Sequence, residues 1–364
     1  MIKRIVKYRY QTLVLLAGLG VWYCFCLPKV LFDDPYATLV NASNGKLLSA
    51  RIANDGQWRF PLSTSIPEKY EKALITFEDK NFHSHPGVDL LALGRAMKQN
   101  IQNGRIVSGG STLSMQVIRL HRKGKARNVW EKFVEVVFAT RLELRYSKED
   151  ILNLYASHAP FGGNTVGLEA AAWRYFGRDA DQLSWAEAAL LAVLPNQPSL
   201  LFPGKNNARL KAKRDRLLNR LHALGHFDAT SLELAKAEPL PPGPQPLPAL
   251  AIHLLDKGIS EGKGQQKMPS TLDYYLQKRV NRIVRAHHEL LRTDGIHNAA
   301  AVVIDVKKGE VMAYTGNAPG AGHDHGEWVD IVSAPRSTGS VLKPMLYAAA
   351  LDDGLLLPSS RIPD

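Results

Sequence analysis

The sequence EDKNFHSHPG, residues 78–87, follows a segment in which apolar side chains recur at helical spacing. Glu78 therefore stands where a predicted helix passes into a loop. Burial among the phenylalanines of this region would raise the pKa of its carboxyl group, as a general base that works near neutral pH requires. An ordinary polar helix end has the same composition, so both interpretations stay open. His83 and His85 are interpreted as loop histidines, because no third ligand follows at metal spacing.

Helical patterns dominate the chain on both sides of this stretch. Pro67 suits a first helical position, and apolar residues at helical spacing predict further helices after it. These patterns cover residues 88–102, 111–121, 128–145, 147–157, 184–194 and 206–223. The segment 67–223 is therefore predicted to form one compact, mostly α domain. One or two short strands are expected before it, between Tyr36 and Arg51, where apolar and polar residues alternate.

The second informative stretch is GGSTLSMQ, residues 109–116, which is followed by Arg119. Paired glycines before a helix start rich in Ser and Thr leave backbone N–H groups and hydroxyls free to face an anion. A helix capped by serine after a flexible turn has the same pattern. By itself the stretch predicts a helix start and leaves anion binding open.

The third stretch is the helix predicted between Arg127 and Arg145, in which Lys132 and Glu135 share a face. Glu131 and Glu135, four residues apart, repel each other unless a cation such as Arg127 or a bound metal compensates their charge. A solvated charged face is the usual explanation for such a pattern. The spacing alone does not decide between these readings.

One strongly apolar run lies near the N-terminus, LVLLAGLGVWYCFCL at residues 13–27. With the residues before it, the run approaches the roughly 20 residues that a spanning helix needs. Basic residues precede it, and the positive-inside rule then puts the N-terminus in the cytoplasm. A signal peptide is the alternative, although no small-x-small cleavage site follows Cys26. The sequence predicts a cytoplasmic tail at 1–9 and a transmembrane anchor at 10–30.

Composition and charge restrict the class of protein. Apolar residues make up 45% of the chain and charged residues 22%, which excludes bulk disorder. Lys and Arg exceed Asp and Glu by 46 − 34 = 12. Such a surplus attracts anionic partners, namely nucleic acid, acidic lipid headgroups or pyrophosphates. Two cysteines, Cys24 and Cys26, exclude a disulfide framework and a zinc site with four cysteine or histidine ligands in a cysteine-rich module.

The character of the sequence changes after a proline-rich run at 238–249. Two β-rich runs, 300–306 and 311–315, predict a hairpin. An S-x-x-K motif follows from Ser340 to Lys343 and sets a serine nucleophile and a lysine base one helical turn apart. Bare S-x-x-K is weak evidence, because two others occur in turn-like settings, but this one follows a hairpin and opens a predicted helix.

Taken together and in order, these stretches resemble the family 51 peptidoglycan glycosyltransferases, the lysozyme-like half of class A penicillin-binding proteins. The first family motif, E-D-x-x-F-x-x-H-x-G, is complete in residues 78–87. The second, G-G-S-T-x-T-x-Q, is matched by residues 109–116 with Ser for its second Thr. The third, R-K-x-x-E, keeps Lys132 and Glu135 but has Glu131 where Arg is usual. This departure removes one cation and adds one anion near the expected leaving group.

The fourth motif, I-L-x-x-Y-L-N, keeps Tyr155 but has Ser157 in place of Asn. The run HAPFGG at 158–163 resembles a divergent branch of the family, and Ser340 to Lys343 resembles the penicillin-binding transpeptidase domain. The resemblance implies an N-terminal transmembrane helix, then a mostly α lysozyme-like glycosyltransferase domain, then the incomplete start of an α/β transpeptidase domain. The expected bounds are 1–9 (tail), 10–30 (anchor), 50–225 (glycosyltransferase), 226–265 (proline-rich linker) and 266–364 (truncated transpeptidase).

The resemblance also implies roles for the residues. Glu78 would be the general base that takes the proton from the 4-hydroxyl of the acceptor sugar. Glu135 would orient the cations that meet the departing pyrophosphate, or help hold a divalent cation, Mg²⁺ or Mn²⁺; no organic cofactor is implied. Ser340 and Lys343 would be a nucleophile and base that are expected to be inactive, since neither S-x-N nor K-[ST]-G follows them. The residues implied to bind substrate are Ser111, Thr112, Gln116, Arg119, Arg127 and Lys132.

The implied substrates are lipid II and the growing lipid-linked glycan, which the enzyme joins with release of undecaprenyl pyrophosphate. The chain is expected to sit in the cytoplasmic (inner) membrane as a single-pass protein, with its catalytic domain in the periplasm. Other cell-wall synthesis proteins are expected partners, and nucleic acid is not, because the domain is exported. Two alternatives stay open: a lysozyme-like glycan hydrolase, since paired carboxylates also cleave glycosides, and an inactive scaffold remnant of a bifunctional synthase.

Overall fold

The computed structural model describes residues 2–61, 65–104, 109–123, 128–196, 200, 202–318, 320, 322–335, 337 and 339–361, without the side chains of 2–11 and 129. They form two compact units, Met1–Tyr274 and Tyr275–Asp364. The helices are α1 (Ile2–Phe25), α2 (Glu68–Glu78), α3 (Leu90–Asn103), α4 (Leu113–His121), α5 (Val129–Glu143), α6 (Lys148–His158), α7 (Leu168–Phe176), α8 (Trp185–Val193), α9 (Asn207–Ala223), α10 (Ala229–Ala237), α11 (Ile252–Ser260), α12 (Tyr274–Leu291) and α13 (Lys343–Asp352). The strands are β1 (Thr38–Asn41), β2 (Leu47–Arg51), β3 (Trp58–Arg59), β4 (Pro160–Gly162), β5 (Thr165–Val166), β6 (Lys267–Pro269), β7 (Ala301–Asp305) and β8 (Glu310–Thr315).

Local side-chain caps fix where several of these helices begin. Ser147 starts α6 and Ser184 starts α8 with a capping box, in which the serine oxygen accepts the N3 backbone N–H and the N3 carboxylate accepts the N-cap N–H. The other side-chain N-caps of the first unit are Asp89, Thr112, Asn128 and Asp228. Because these residues satisfy backbone donors that the first turn leaves unpaired, helix starts follow from the local sequence.

The first unit is built around α8, whose residues from Ala186 to Val193 are almost all buried. Helix α2 packs against α8 and α9, and α4 packs against α5 and α6. The helices predicted from Pro67 onward are confirmed, with ends that differ by one or two residues. Helix α7 was not predicted; its N-cap, Gly167, has no side chain that could mark the start of a helix.

Of the one or two short strands predicted between Tyr36 and Arg51, the structure has two, β1 and β2, which pair antiparallel. Strand β6 adds to it in parallel, with Val40 opposite Met268. A second small sheet has the order β3-β5-β4. The segment 226–265, predicted as a linker, contains α10 and α11, and the fully buried Arg214 donates hydrogen bonds to the carbonyls of Lys236 and Glu238.

Helix α1 confirms the helical conformation predicted near the N-terminus as far as Phe25. Its end is fixed to α5, where Tyr23 Oη lies 2.9 Å from Thr140 Oγ1 and Arg141 Nη2 donates to the Cys24 carbonyl at 2.9 Å. Among the residues that the structure describes, no helix combines the length and the apolarity needed to cross a bilayer. The predicted transmembrane crossing at 10–30 is therefore not confirmed.

The second unit contains the predicted hairpin, formed by β7 and β8. Helix α12 packs against it through Gln277, whose side chain accepts from the Tyr314 N–H at 2.7 Å and donates to its carbonyl at 3.0 Å. Helix α13 has no buried residue within the described part of the chain, and its apolar side chains Met345 and Leu346 are 65% and 66% exposed.

Candidate active site

Asp79 joins the first two sequence motifs. Gly87 donates its N–H to His85 Nδ1 at 3.2 Å, so the ring proton lies on Nε2, which donates to the Asp79 carboxylate at 3.0 Å. The same carboxylate accepts the N–H of Leu113, the first residue of α4, at 3.0 Å. A buried carboxylate that accepts from two donors, His85 Nε2 and the Leu113 N–H, holds the end of α2 and the start of α4 together.

Thr112 makes the second connection between these motifs. Its hydroxyl donates to the Gly87 carbonyl at 2.6 Å and accepts the N–H of Met115 as the N-cap of α4. Gly87 itself has φ +92, and a Cβ there would lie 2.6 Å from the Ala139 carbonyl oxygen of α5. The glycine is thus required both by its backbone conformation and by the close approach of α5.

We expect Gly87→Ala to lower the free energy of unfolding by about 2–4 kcal/mol, because the methyl group meets backbone that has no room to move and the φ is strained. Gly104→Ala is the matched control, since Gly104 also has positive φ but nothing lies within 4 Å of its added Cβ. That variant should lose only about 1 kcal/mol. Urea unfolding of both variants measures the difference, and equal losses would contradict the close approach to α5.

Glu78 ends α2, where its carboxylate faces the negative end of the helix. Oε2 accepts a hydrogen bond from Gln116 Nε2 at 2.7 Å. Oε1 is buried and finds no hydrogen-bond partner within the described part of the chain. Burial raises the pKa of Glu78, and the Gln116 hydrogen bond, the charges of Lys213 and Arg119 and a weaker contact with the Asn196 side chain only partly offset this effect. The direction agrees with the sequence-based prediction.

Two buried tyrosines lie in the electrostatic surroundings of Glu78. The hydroxyls of Tyr70 on α2 and Tyr155 on α6 are buried without a hydrogen-bond partner among the described residues. Burial and the charge of Glu78 raise the pKa of both phenols, so both stay protonated donors at neutral pH. The surroundings of the base are therefore low in dielectric and contain unused donors.

Lys213 on α9 is a residue of this site that the sequence did not single out. Its ammonium group donates to Asn196 Oδ1 at 3.2 Å and offsets the raised pKa of Glu78. Burial and the nearby Arg209 lower the pKa of Lys213. The signal in the sequence that could have identified Lys213 is its spacing from Arg209 and Arg216, which places three cations on one face of the predicted helix.

Arg119 connects three of the predicted residues. Its Nε and Nη2 donate to Glu135 Oε1 and Oε2 at 2.8 and 2.7 Å, a bidentate pair between α4 and α5. Nη2 also lies 3.3 Å from Ser111 Oγ. The Glu135 side chain is only 7% exposed and that of Arg119 31%. The bidentate pair with Arg119 is the kind of contact that the predicted role of Glu135, orienting a cation, requires.

Glu131 was predicted to repel Glu135 unless a cation compensates its charge, and Arg122 is that cation in the structure. Arg122 Nε and Nη2 donate to its two carboxylate oxygens at 2.8 and 2.9 Å. The cation was expected to be Arg127 or a metal; Arg127 lies outside the described residues. Because α4 and α5 pack side by side, Arg122 was available across the helix interface, which sequence spacing along α5 does not reveal.

Three predicted residues remain, namely Lys132, Ser340 and Lys343. Lys132 is half-buried on α5, and its side chain has no ion pair among the residues described. Ser340 and Lys343 belong to the second unit, where both are exposed and no hydrogen bond between them is present in the described part.

The two acidic residues considered for a divalent cation are both paired with arginines. Both oxygens of Glu135 accept from Arg119, and both oxygens of Glu131 accept from Arg122. Mg²⁺ is usually held through one or two carboxylates together with waters and substrate phosphates, so either carboxylate would have to leave its arginine to bind the ion. Among the described residues, no cluster of three or more His, Cys, Asp or Glu side chains has a geometry that could hold a metal.

Models of known protein families match two parts of the chain. The transglycosylase family model matches residues 44–222, and the model of the penicillin-binding protein transpeptidase domain matches 299–364. The chain is 36% identical to penicillin-binding protein 1C of Escherichia coli strain K12 over 359 residues, which are 97% of this chain and 45% of that protein. It is 29% identical to penicillin-binding protein 1F of Bacillus subtilis strain 168 over 323 residues, which are 84% and 44%.

A crystal structure of penicillin-binding protein 1A from Haemophilus influenzae aligns with 70% of this chain and 29% of that one, at 17% identity and a TM-score of 0.33. This chain spans about half the length of the curated relatives it matches. The two family matches occur in the same order as the glycosyltransferase and transpeptidase motifs. The chain belongs to the class A penicillin-binding proteins, which combine a transglycosylase with a transpeptidase domain.

Proposed function

We propose that this chain is a peptidoglycan glycosyltransferase, which polymerises lipid II into glycan strands and releases undecaprenyl pyrophosphate. The observation that carries the proposal is the carboxylate of Glu78, whose Oε1 is buried and unoccupied by any described donor while Gln116 orients Oε2. Its raised pKa suits a base that accepts a proton at neutral pH. The family to which the chain belongs supports the substrate class.

In this reaction, the 4-hydroxyl of the acceptor sugar gives its proton to Oε1 of Glu78. The freed oxygen attacks the anomeric carbon of the lipid-linked donor and forms the new glycosidic bond. The bond from that carbon to the pyrophosphate oxygen breaks, its electron pair leaves with the pyrophosphate, and the α linkage becomes β. Lys132 and Arg119, on α5 and α4, are the cations proposed to meet the charge that develops on the leaving group.

The same contacts disfavour the hydrolase alternative. Glycoside hydrolysis uses two carboxyl groups that flank the scissile bond. Glu135, the second acidic residue of the cluster, has both oxygens engaged by Arg119. It therefore acts as a positioning residue for Arg119 rather than as a second acid or nucleophile.

The test gives purified full-length protein either lipid II or finished, uncross-linked glycan. Chain growth from lipid II, seen as a ladder of glycan lengths, supports the proposal. Cleavage of finished glycan without growth would favour a hydrolase, and no reaction with either substrate would favour a scaffold.

The proposal includes an N-terminal membrane anchor, formed by α1. Support comes from the apolar side chains between Leu13 and Phe25, which are exposed to solvent on several sides of the helix. An anchor would keep the site at the bilayer, where both lipid-linked substrates stay. The chain should sediment with membranes and resist an alkaline wash; recovery in the soluble fraction would contradict this.

We expect no stable adduct between Ser340 and a fluorescent penicillin in this chain. Ser340 and Lys343 are exposed, and α13, which they open, has no buried side chain in the described part to hold the pair in place. An activated serine needs its base within hydrogen-bond distance. Fluorescence of the chain on a denaturing gel should equal that of Ser340→Ala, and a signal that Ser340→Ala removes would contradict the prediction.

A further inference from the structure

A groove of the first unit lies outside the cluster described above. It has a volume of about 570 Å³ and runs between α2 and the C-terminal end of α9. Its apolar lining consists of Ile75 on α2, Ala223 at the end of α9 and Leu224, which follows α9. A cavity of this size is in the range of small-ligand sites, which hold roughly 300–1,000 Å³.

The rim of the groove is cationic. Lys72, Lys80 and Arg220 line it, against one carboxylate, that of Glu71. Lys72 pairs with Glu68 outside the groove. Lys80 and Arg220 are exposed and pair with no carboxylate among the residues that the structure describes. Two cations are thus available to a ligand, beside an apolar surface.

The groove lies along the same two helices that position the proposed base. Glu71 precedes Glu78 by seven residues on α2, and Arg220 follows Lys213 by seven residues on α9. Seven residues are about two helical turns, or about 10 Å, so each pair shares a face. Because Lys213 lies near Glu78, both helices lead from the base toward the groove. A substituent of the substrate about 10 Å from the reacting hydroxyl would reach it.

We propose that this groove binds a peptide with free carboxylates, carried by the acceptor substrate, through Lys80 and Arg220. This inference rests on the proposed function, in which the substrate is a disaccharide-peptide. The two cations meet the carboxylates, and the apolar lining residues Ile75 and Leu224 contact the aliphatic parts of the peptide. The pyrophosphate is not the occupant, since its proposed contacts come from α4 and α5, which do not line the groove.

The test measures binding directly, without turnover. The probe is a fluorescent, lipid-free disaccharide-pentapeptide, compared with the same molecule whose peptide carboxylates are amidated. Fluorescence anisotropy gives the Kd of each for the wild-type chain, for the double variant Lys80→Gln/Arg220→Gln, and for Lys211→Gln. Lys211 is the matched control, because it lies on the opposite face of α9 and already pairs with Asp215.

The wild type and Lys211→Gln should bind the free-carboxylate probe about tenfold more tightly than the amidated probe, and the double variant should lose this preference. Equal affinity of the wild type for both probes, or an unchanged preference in the double variant, would overturn the inference. In lipid II polymerisation the double variant should have a higher KM than the wild type and the same kcat. If the wild type binds the probe with this preference but does not polymerise lipid II, the proposed function is wrong and the inference that the groove binds peptide carboxylates remains supported.

Discussion

Glu78→Gln is expected to lower the rate of lipid II polymerisation by about a thousandfold. The amide keeps the size of the side chain and the contact with Gln116 but does not accept a proton from the sugar hydroxyl. The substrate-binding residues remain, so KM should change far less than kcat. The rate of glycan formation from lipid II, at saturating substrate, measures the loss.

Glu68→Gln is the control for this substitution, because Glu68 lies on the same helix but is exposed. Its rate should stay within about twofold of the wild type. A Glu78→Gln variant that retained the wild-type rate would contradict the role of Glu78 as base.

The stability of Glu78→Gln should change in the opposite direction from its activity. A carboxyl group whose pKa is raised in the folded state stabilises the fold below its unfolded pKa and loses that contribution as the pH rises through the folded pKa. At neutral pH the wild type therefore carries an unfavourable buried charge at Glu78 that the variant lacks. Glu78→Gln should be the more stable protein at pH 8, and the gap should narrow as the pH falls toward 4.

Glu135→Gln is expected to lower the free energy of unfolding by about 2–3 kcal/mol, since it leaves the half-buried guanidinium of Arg119 without its carboxylate. Polymerisation should also fall. The released Arg119 is close enough to Glu78 to affect its pKa, and a freer cation lowers that pKa further. The acidic limb of the rate profile should therefore move to lower pH, which a merely structural role would not produce.

Glu233→Gln is the control, because it removes an exposed carboxylate that pairs with Lys236 on α10. A surface pair of this kind contributes about 0.5 kcal/mol or less. Urea unfolding gives both values. If Glu135→Gln lost no more than Glu233→Gln and its pH profile did not move, the positioning role would be wrong.

Much of the fold follows from local sequence. The starts of α4, α6 and α8 coincide with Thr112, Ser147 and Ser184, residues that cap helices by short-range hydrogen bonds. Helix α7 was missed although α8, which is more buried, was predicted. Its N-cap is Gly167, which makes no side-chain hydrogen bond, so the local signal that marks the other helix starts is missing.

Several members of the site were predictable from motifs, but Lys213 and the contacts between helices were not. Glu78, Gln116 and Arg119 were identified from motifs, and the structure brings them together. The partner of Glu131 was missed because Arg122 reaches it from another helix. Lys213 was missed for the same reason, since it lies 135 residues from Glu78 in the chain, by 213 − 78 = 135. Spacing within one element carries no information about contacts of this kind.

The structure of the proline-rich segment was also not predictable from its sequence. Its composition is typical of an extended spacer. Arg214 is fully buried, and the carbonyls of Lys236 and Glu238 satisfy its guanidinium. Because a buried guanidinium needs such acceptors, the chain after α10 is held against α9. The constraint arises from one residue some 20 positions earlier, which composition does not reveal.

The most direct test of the central claim is the pKa of Glu78 itself. Carboxyl ¹³C chemical shifts of glutamate-labelled protein are followed against pH, and Glu78→Gln identifies the resonance. The account predicts that Glu78 titrates above the ordinary range of glutamate because its carboxyl group is buried, while Glu68, which pairs with Lys72, titrates below that range. A Glu78 carboxyl that titrates together with Glu68 would show that it is solvated or already paired, and would contradict its assignment as the base.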